Sequence, residues 1–166
     1  MKCEEINIRD PYILVYEDTY YMYGTRAETT FKGEAFGFDV YKSKDLTDWD
    51  GPIEIFHRPE NFFSKASYWA PEVYFRDGKF YMFATFGSGK KGLGTAVLTA
   101  DSPEGPFRMW SDGYVTPKDW RCLDGTLYIA KHGKPYMVLG SPIWFFVMSG
   151  SKCMTAQSVP SRCPTI

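Results

Sequence analysis

The chain has 166 residues, enough for one domain with a buried core, and its 44% hydrophobic and 23% charged residues are those of an ordinary globular protein. A net charge of -1 leaves no basic footprint for nucleic acid, and no apolar stretch approaches the ~18 residues that span a bilayer. The aromatic share of 18%, carried mostly by Tyr and Phe, favours strands and offers flat faces on which sugars stack.

At the N-terminus, Glu4 and Glu5 stand where a signal peptide needs its apolar region. The expected location is therefore cytoplasmic, or extracellular or periplasmic if a leader has been lost. Cys3, Cys122, Cys153 and Cys163 lack metal-finger spacing and read as free thiols. No cofactor is implied.

Short β-branched or aromatic runs predict strands at Tyr12 to Tyr16, Tyr20 to Tyr23, Phe36 to Tyr41, Val73 to Phe75, Phe80 to Thr85 and Gly94 to Thr99. Turn residues bound them: Glu17-Asp18, Asp77-Gly78, Gly87 to Gly92 and His132-Gly133. No window carries a long 3.6-residue apolar period, so the chain reads as all-β.

An internal repeat organises these strands. DPYILVYEDTYYMYG from Asp10, PEVYFRDGKFYMFA from Pro71 and DGTLYIAKHGKPYMV from Asp124 each run strand, turn, strand, with a Tyr-Met pair in the second strand. The starts lie roughly 55 to 60 residues apart, somewhat above the ~40–50 residues of common propeller blades. The first two units continue into a third strand and reach a "DLTDW" or "DSPEGPF" turn, read as the blade edge where the chain crosses to the next blade. Asp10, Glu72 and Asp124 fall at the beginning of each unit's first strand. In a propeller that strand is innermost, so these carboxylates are expected to converge near the axis. Such convergence costs repulsion and desolvation unless chemistry or an ion uses it.

Four motifs, in order, resemble the blade openings of family 43 glycoside hydrolases: "IRDPYIL" at Ile8 to Leu14, "YWAPEVY" at Tyr68 to Tyr74, "SPEGPF" at Ser102 to Phe107 and "LDGTLYI" at Leu123 to Ile129. The resemblance covers about residues 6 to 138. It implies a five-bladed β-propeller that removes arabinofuranosyl or xylosyl units from plant polysaccharides or oligosaccharides with inversion. Inversion needs two carboxyls ~6.5–9.5 Å apart, one activating water and one protonating the leaving oxygen. By resemblance Asp10 is the general base, and Asp124 orients the general acid and keeps its pKa high. No residue here matches the acid itself, a Glu opening a later blade. Glu72 either lines the site or holds the blade start, and Trp69 is either a sugar platform or a core side chain.

Other motifs carry less. Glu104 in "SPEGPF" sits in a turn between blades, which argues against its being the acid. "GSGKKG" from Gly87 lacks the ending of a phosphate loop and reads as a hairpin tip. His57 and His132 stand alone in turn contexts and are assigned no metal.

The last part of the chain departs from this pattern. All 20 acidic residues lie at or before Asp124, and from roughly Leu139 strand–turn–strand logic stops. Reading the third base of each codon with the first two of the next forces Val at Trp144-Phe145 and Asp at Met154-Thr155. Within codon degeneracy, from Ser141, it permits PYMVFCHEW-x-QMYDGTIGAV-x-LSDD, which continues the blade pattern. The expectation is therefore N-terminal propeller blades over 1–138, about two and part of a third, followed by an aberrant tail over 139–166 translated out of frame. Such a chain is expected to be inactive and prone to self-association through open sheet edges. The rival expectation is a non-catalytic carbohydrate-binding or self-assembling propeller fragment. A weaker one is a related five-bladed fold acting on fructans or mannosides.

Overall fold

The computed structural model describes residues 1–87, 92–117 and 120–140, and the backbone of strands at 145–149 and 152–154. The described chain is built of antiparallel strands with two short 3-10 turns, Cys3–Glu5 and Ala27–Thr29. The first sheet contains β1 (Ile8–Tyr16), β2 (Thr19–Arg26), β3 (Gly37–Ser43) and β4 (Trp49–His57) in that order. The second contains β5 (Ala66–Arg76), β6 (Lys79–Gly87), β7 (Leu93–Ala100) and β8 (Arg108–Met109). The third contains β9 (Leu123–Ile129), β10 (Pro135–Gly140), β11 (Phe145–Ser149) and β12 (Lys152–Met154). Successive four-stranded meanders of this kind are propeller blades.

Alternation along the strands decides what packs where. From blade one, Tyr23, Phe38, Val40 and Ile55 face Val73, Phe80, Met82, Phe86 and Leu98 of blade two, all within one buried cluster. The opposite face of blade two sends Phe83 and Val97 against Met137 and Leu139 of blade three. The first strands lie side by side: Tyr16 of β1 packs on Phe75 of β5 at 4.7 Å, and Tyr74 of β5 meets Thr126 of β9 at 2.8 Å.

The "DLTDW" and "DSPEGPF" turns are not blade crossings. Each leads from the third strand into a fourth strand of the same blade, β4 or β8. Gly51-Pro52 hides β4 in the sequence, because Pro is rare within sheets. As the outermost strand of its blade, β4 tolerates a residue without an N–H. The loop at 102–107 folds back onto blade one. There the Phe107 N–H donates to the Ile55 carbonyl at 2.7 Å, and Tyr23 Oη donates to the Pro103 carbonyl at 2.9 Å.

Strand pairing continues past Leu139, where the sequence pattern ceases: β10 pairs with β11 and β11 with β12. The residue-139 boundary drawn from sequence therefore falls inside a strand. Of the "GSGKKG" segment, β6 ends at Gly87 and β7 begins at Leu93 in one hairpin, while residues 88–91 lie outside the described set. Cys3 is exposed and Cys122 buried; the Cys153 side chain and Cys163 lie outside the described residues.

Candidate active site

Each first strand carries the same irregularity. Arg9 pairs with Thr25 and Tyr12 with Tyr23, so Asp10 and Pro11 stand opposite one residue, Gly24. Trp69 pairs with Thr85 and Glu72 with Phe83, so Ala70 and Pro71 stand opposite Ala84. Leu123 pairs with Gly140 and Thr126 with Val138, so Asp124 and Gly125 stand opposite Leu139. Two residues against one is a β-bulge. Its first residue is left-handed in every blade: φ is 50° at Asp10, 44° at Ala70 and 50° at Asp124.

This register corrects the equivalence read from sequence. The blade-two counterpart of Asp10 and Asp124 is Ala70, not Glu72. Glu72 lies two residues further on, at the position of Tyr12 and Thr126.

Asp10 is exposed, and its carboxylate accepts a hydrogen bond from Thr25 Oγ1 at 3.2 Å. Thr25, fully buried on β2, also accepts the Ala70 N–H at 2.8 Å. The counterpart on β6, Thr85, is likewise buried and accepts the Asp124 N–H at 2.9 Å. The second strand of one blade thus grips the bulge of the next.

Asp124 lies within electrostatic reach of both other carboxylates. Asp124 is exposed at its outer side but partly desolvated by its neighbours; that desolvation, then the charges of Asp10 and Glu72, push its pKa up, and the Thr85 hydroxyl opposes the rise. Glu72 is half-buried and accepts from Tyr74 Oη, which also meets Thr126 Oγ1 at 2.8 Å and accepts the Leu127 N–H at 3.3 Å. Burial first, then Glu72, raises the Tyr74 hydroxyl well above its ordinary value, so it stays protonated. Glu72 therefore joins the carboxylate group while being tied to the blade two–blade three seam.

Trp69 precedes the blade-two bulge, half-buried, with Nε1 donating to the Thr30 carbonyl at 2.6 Å. Phe31 meets it edge-on at 6.1 Å, and the Arg9 guanidinium lies 4.6 Å from the Phe31 centroid. Phe31 is 75% exposed. Arg9, Phe31 and Trp69 form an aromatic and cationic wall beside Asp10. The sequence reading missed Arg9, Phe31 and Thr25. Arg9 directly precedes Asp10 and offered a signal; Phe31, in a loop without strand periodicity, offered none.

Glu104 stands apart from this group. It lies between β7 and β8, within blade two rather than between blades, and its carboxylate pairs with Lys42 Nζ of blade one at 3.1 Å. Lys42 pairs with Tyr21, toward the opposite end of β2 from Thr25. His57 ends β4 with Nδ1 3.1 Å from Glu54. No group of three or more potential metal ligands occurs among the described residues.

The sequence matches the family described as glycosyl hydrolases family 43 over residues 5–149. It is 24% identical over 153 residues to an extracellular exo-α-(1→5)-L-arabinofuranosidase of Cellvibrio japonicus, covering 83% of this chain and 42% of that protein. It is 32% identical over 128 residues to a non-reducing end α-L-arabinofuranosidase of Bacteroides ovatus, covering 72% and 23% respectively. Among solved structures, an endo-arabinase from Bacteroides thetaiotaomicron superposes with a TM-score of 0.77 at 33% identity, covering 89% of this chain and 51% of that one. A thermostable family-43 glycoside hydrolase superposes with a TM-score of 0.70 at 30% identity, covering 80% and 41%. The chain thus spans about half or less of the length of the relatives it matches, and its blades are those of the five-bladed propeller fold these enzymes share. Family match, motif order and blade geometry agree: this chain belongs to glycosyl hydrolases family 43.

Proposed function

We propose that the chain forms the base-bearing blades of an inverting glycosidase that acts on arabinofuranosyl or xylosyl linkages in arabinan or xylan. Asp10 is the general base in this reading: it takes a proton from a water, whose oxygen attacks the anomeric carbon opposite the leaving group. Asp124 orients the general acid and, through its charge, keeps that acid protonated until the leaving oxygen needs the proton. Trp69, with Phe31, offers apolar ring surface to the sugar, and Glu72 borders the same cleft. The observation that supports the reading is that Asp10 and Asp124 hold the same bulge position in different blades while the charge of Asp10 acts on Asp124. The arabinose-directed relatives favour arabinosyl over xylosyl substrates, and the extracellular relative favours an exported product.

No residue of this chain matches the family's acid, so the chain by itself is expected to turn over aryl arabinofuranosides and xylosides little or not at all. Losing one acid–base group costs ~10²–10⁴-fold in rate. Arabino- and xylo-oligosaccharide binding, read by calorimetry, is expected to persist and to weaken in Trp69→Ala. Robust hydrolysis that survives Asp10→Ala overturns the assignment of the base. Oligosaccharide binding without hydrolysis, even when the remaining blades are supplied, favours a glycan-binding or self-assembling fragment instead.

A further inference from the structure

We propose that Thr25 is the positioning residue for Asp10: its buried hydroxyl links the aim of that carboxylate to the docking of the neighbouring blade. The consequence for catalysis rests on the reading of Asp10 as the base; the link itself does not.

A threonine hydroxyl has one proton to give and lone pairs to receive with. Thr25 Oγ1 receives the Ala70 N–H of blade two at 2.8 Å, and Asp10 Oδ2 lies 3.2 Å away in blade one. A carboxylate oxygen only accepts, so the hydroxyl proton points to Asp10. Thr25 is 0% exposed, so no water competes for that proton. Its β-branched side chain also holds χ1 stiffly, so the backbone of β2 presets where the hydroxyl sits. Among the described residues no other hydrogen bond reaches the Asp10 side chain. Without Thr25 the carboxylate, on an exposed bulge, rotates freely into solvent.

Blade two supplies an internal comparison. Thr85 occupies the same place on β6 and accepts the bulge N–H of the next blade, here from Asp124. The accepting role is therefore common scaffold. The bulge residue of Thr85's own blade is Ala70, which has no acceptor in its side chain, so donation to a carboxylate on the same blade is particular to Thr25.

NMR on the labelled chain tests this without any assay of hydrolysis. In the unaltered protein Asp10 should occupy one χ1 rotamer, with unequal couplings to its two β protons. The Thr25 hydroxyl proton should exchange slowly with water and show contacts to the Ala70 amide and the Asp10 methylene. Thr25→Ser should keep the single rotamer, Thr25→Val should lose it, and Thr85→Val should leave Asp10 unchanged while shifting the Asp124 amide. A single Asp10 rotamer persisting in Thr25→Val overturns the proposal, as does averaging in the unaltered protein or in Thr25→Ser. If Thr25→Val does not fold, the hydroxyl proton decides: fast exchange, or no contact to Asp10, overturns it. None of these readouts depends on Asp10 being the base, so a failed activity assay and a failed link are told apart.

Discussion

The hydroxyl of Tyr23 donates to the carbonyl of Pro103, 2.9 Å away and 80 residues further along the chain. Burial pushes that phenol far above its usual range, so it donates at any physiological pH. Tyr23→Phe keeps the ring in the blade one–blade two core but leaves the buried carbonyl unpaired. Urea unfolding is expected to show a loss of about 1–3 kcal/mol; a neutral outcome means the loop at 102–107 relaxes to find another donor.

Glycines separate close approach from backbone strain. A Cβ on Gly37 would stand 1.9 Å from the Phe56 carbonyl oxygen of the neighbouring strand. A Cβ on Gly78 meets nothing within 4 Å, and only its φ of +80° resists substitution. Gly37→Ala should therefore force β3 and β4 apart and cost about 3 kcal/mol or more, against about 1 kcal/mol for Gly78→Ala. Paired thermal melts check the ranking.

Asp124 gives a pH dependence with a definite sign. Partial desolvation and the charges of Asp10 and Glu72 raise its pKa, so the folded chain holds this proton more tightly than the unfolded chain. The resulting stabilisation is full below the ordinary carboxylate range and is lost as pH rises through the raised value. Asp124→Asn has no such proton to lose, so relative to the unaltered chain it should gain stability toward neutral pH. The gain should stay below about 1 kcal/mol, because the carboxyl is open to solvent on one side. Melting both proteins between about pH 3 and pH 7 tests this; a difference that does not grow with pH speaks against it.

Glu104→Gln should leave oligosaccharide binding untouched and change stability by no more than about 1 kcal/mol, the range of a half-exposed ion pair with Lys42. Loss of binding in this variant would place Glu104 in the site after all.

The coding DNA offers a check on the proposed frame change. An insertion or deletion is expected near the codons for Val138 to Ser141, with further blades, including a Glu opening an inner strand, in the other frame. A stop after Ile166 with no propeller-like sequence in any downstream frame removes that reading.

Strand alternation and the Tyr-Met repeat made the inner three strands of blades one and two legible in the sequence. The fourth strands were hidden for local reasons: β4 contains Gly51-Pro52, and β8 is only two residues long. Asp10 and Asp124 were legible through their motifs, yet Glu72 was matched to them because it is acidic. The bulge follows backbone register, and Pro11 and Pro71, each second in its bulge, mark Ala70 as the true counterpart. Thr25 looked like any strand threonine, because its role depends on a backbone N–H 45 residues away.

The left-handed step shared by Asp10, Ala70 and Asp124 has a consequence for how such rings change over time. Backbone pairing sets the step, so whichever side chain occupies it inherits the same place at the opening of its blade. Asp is among the residue types that settle most readily into that conformation, and Ala is a costlier tenant. One base change turns the alanine codons GCT and GCC into aspartate codons, and GCA and GCG into glutamate codons. Duplicating a blade therefore copies a reserved position for an acid, and moving a carboxylate from one blade to another takes point mutations rather than a new backbone.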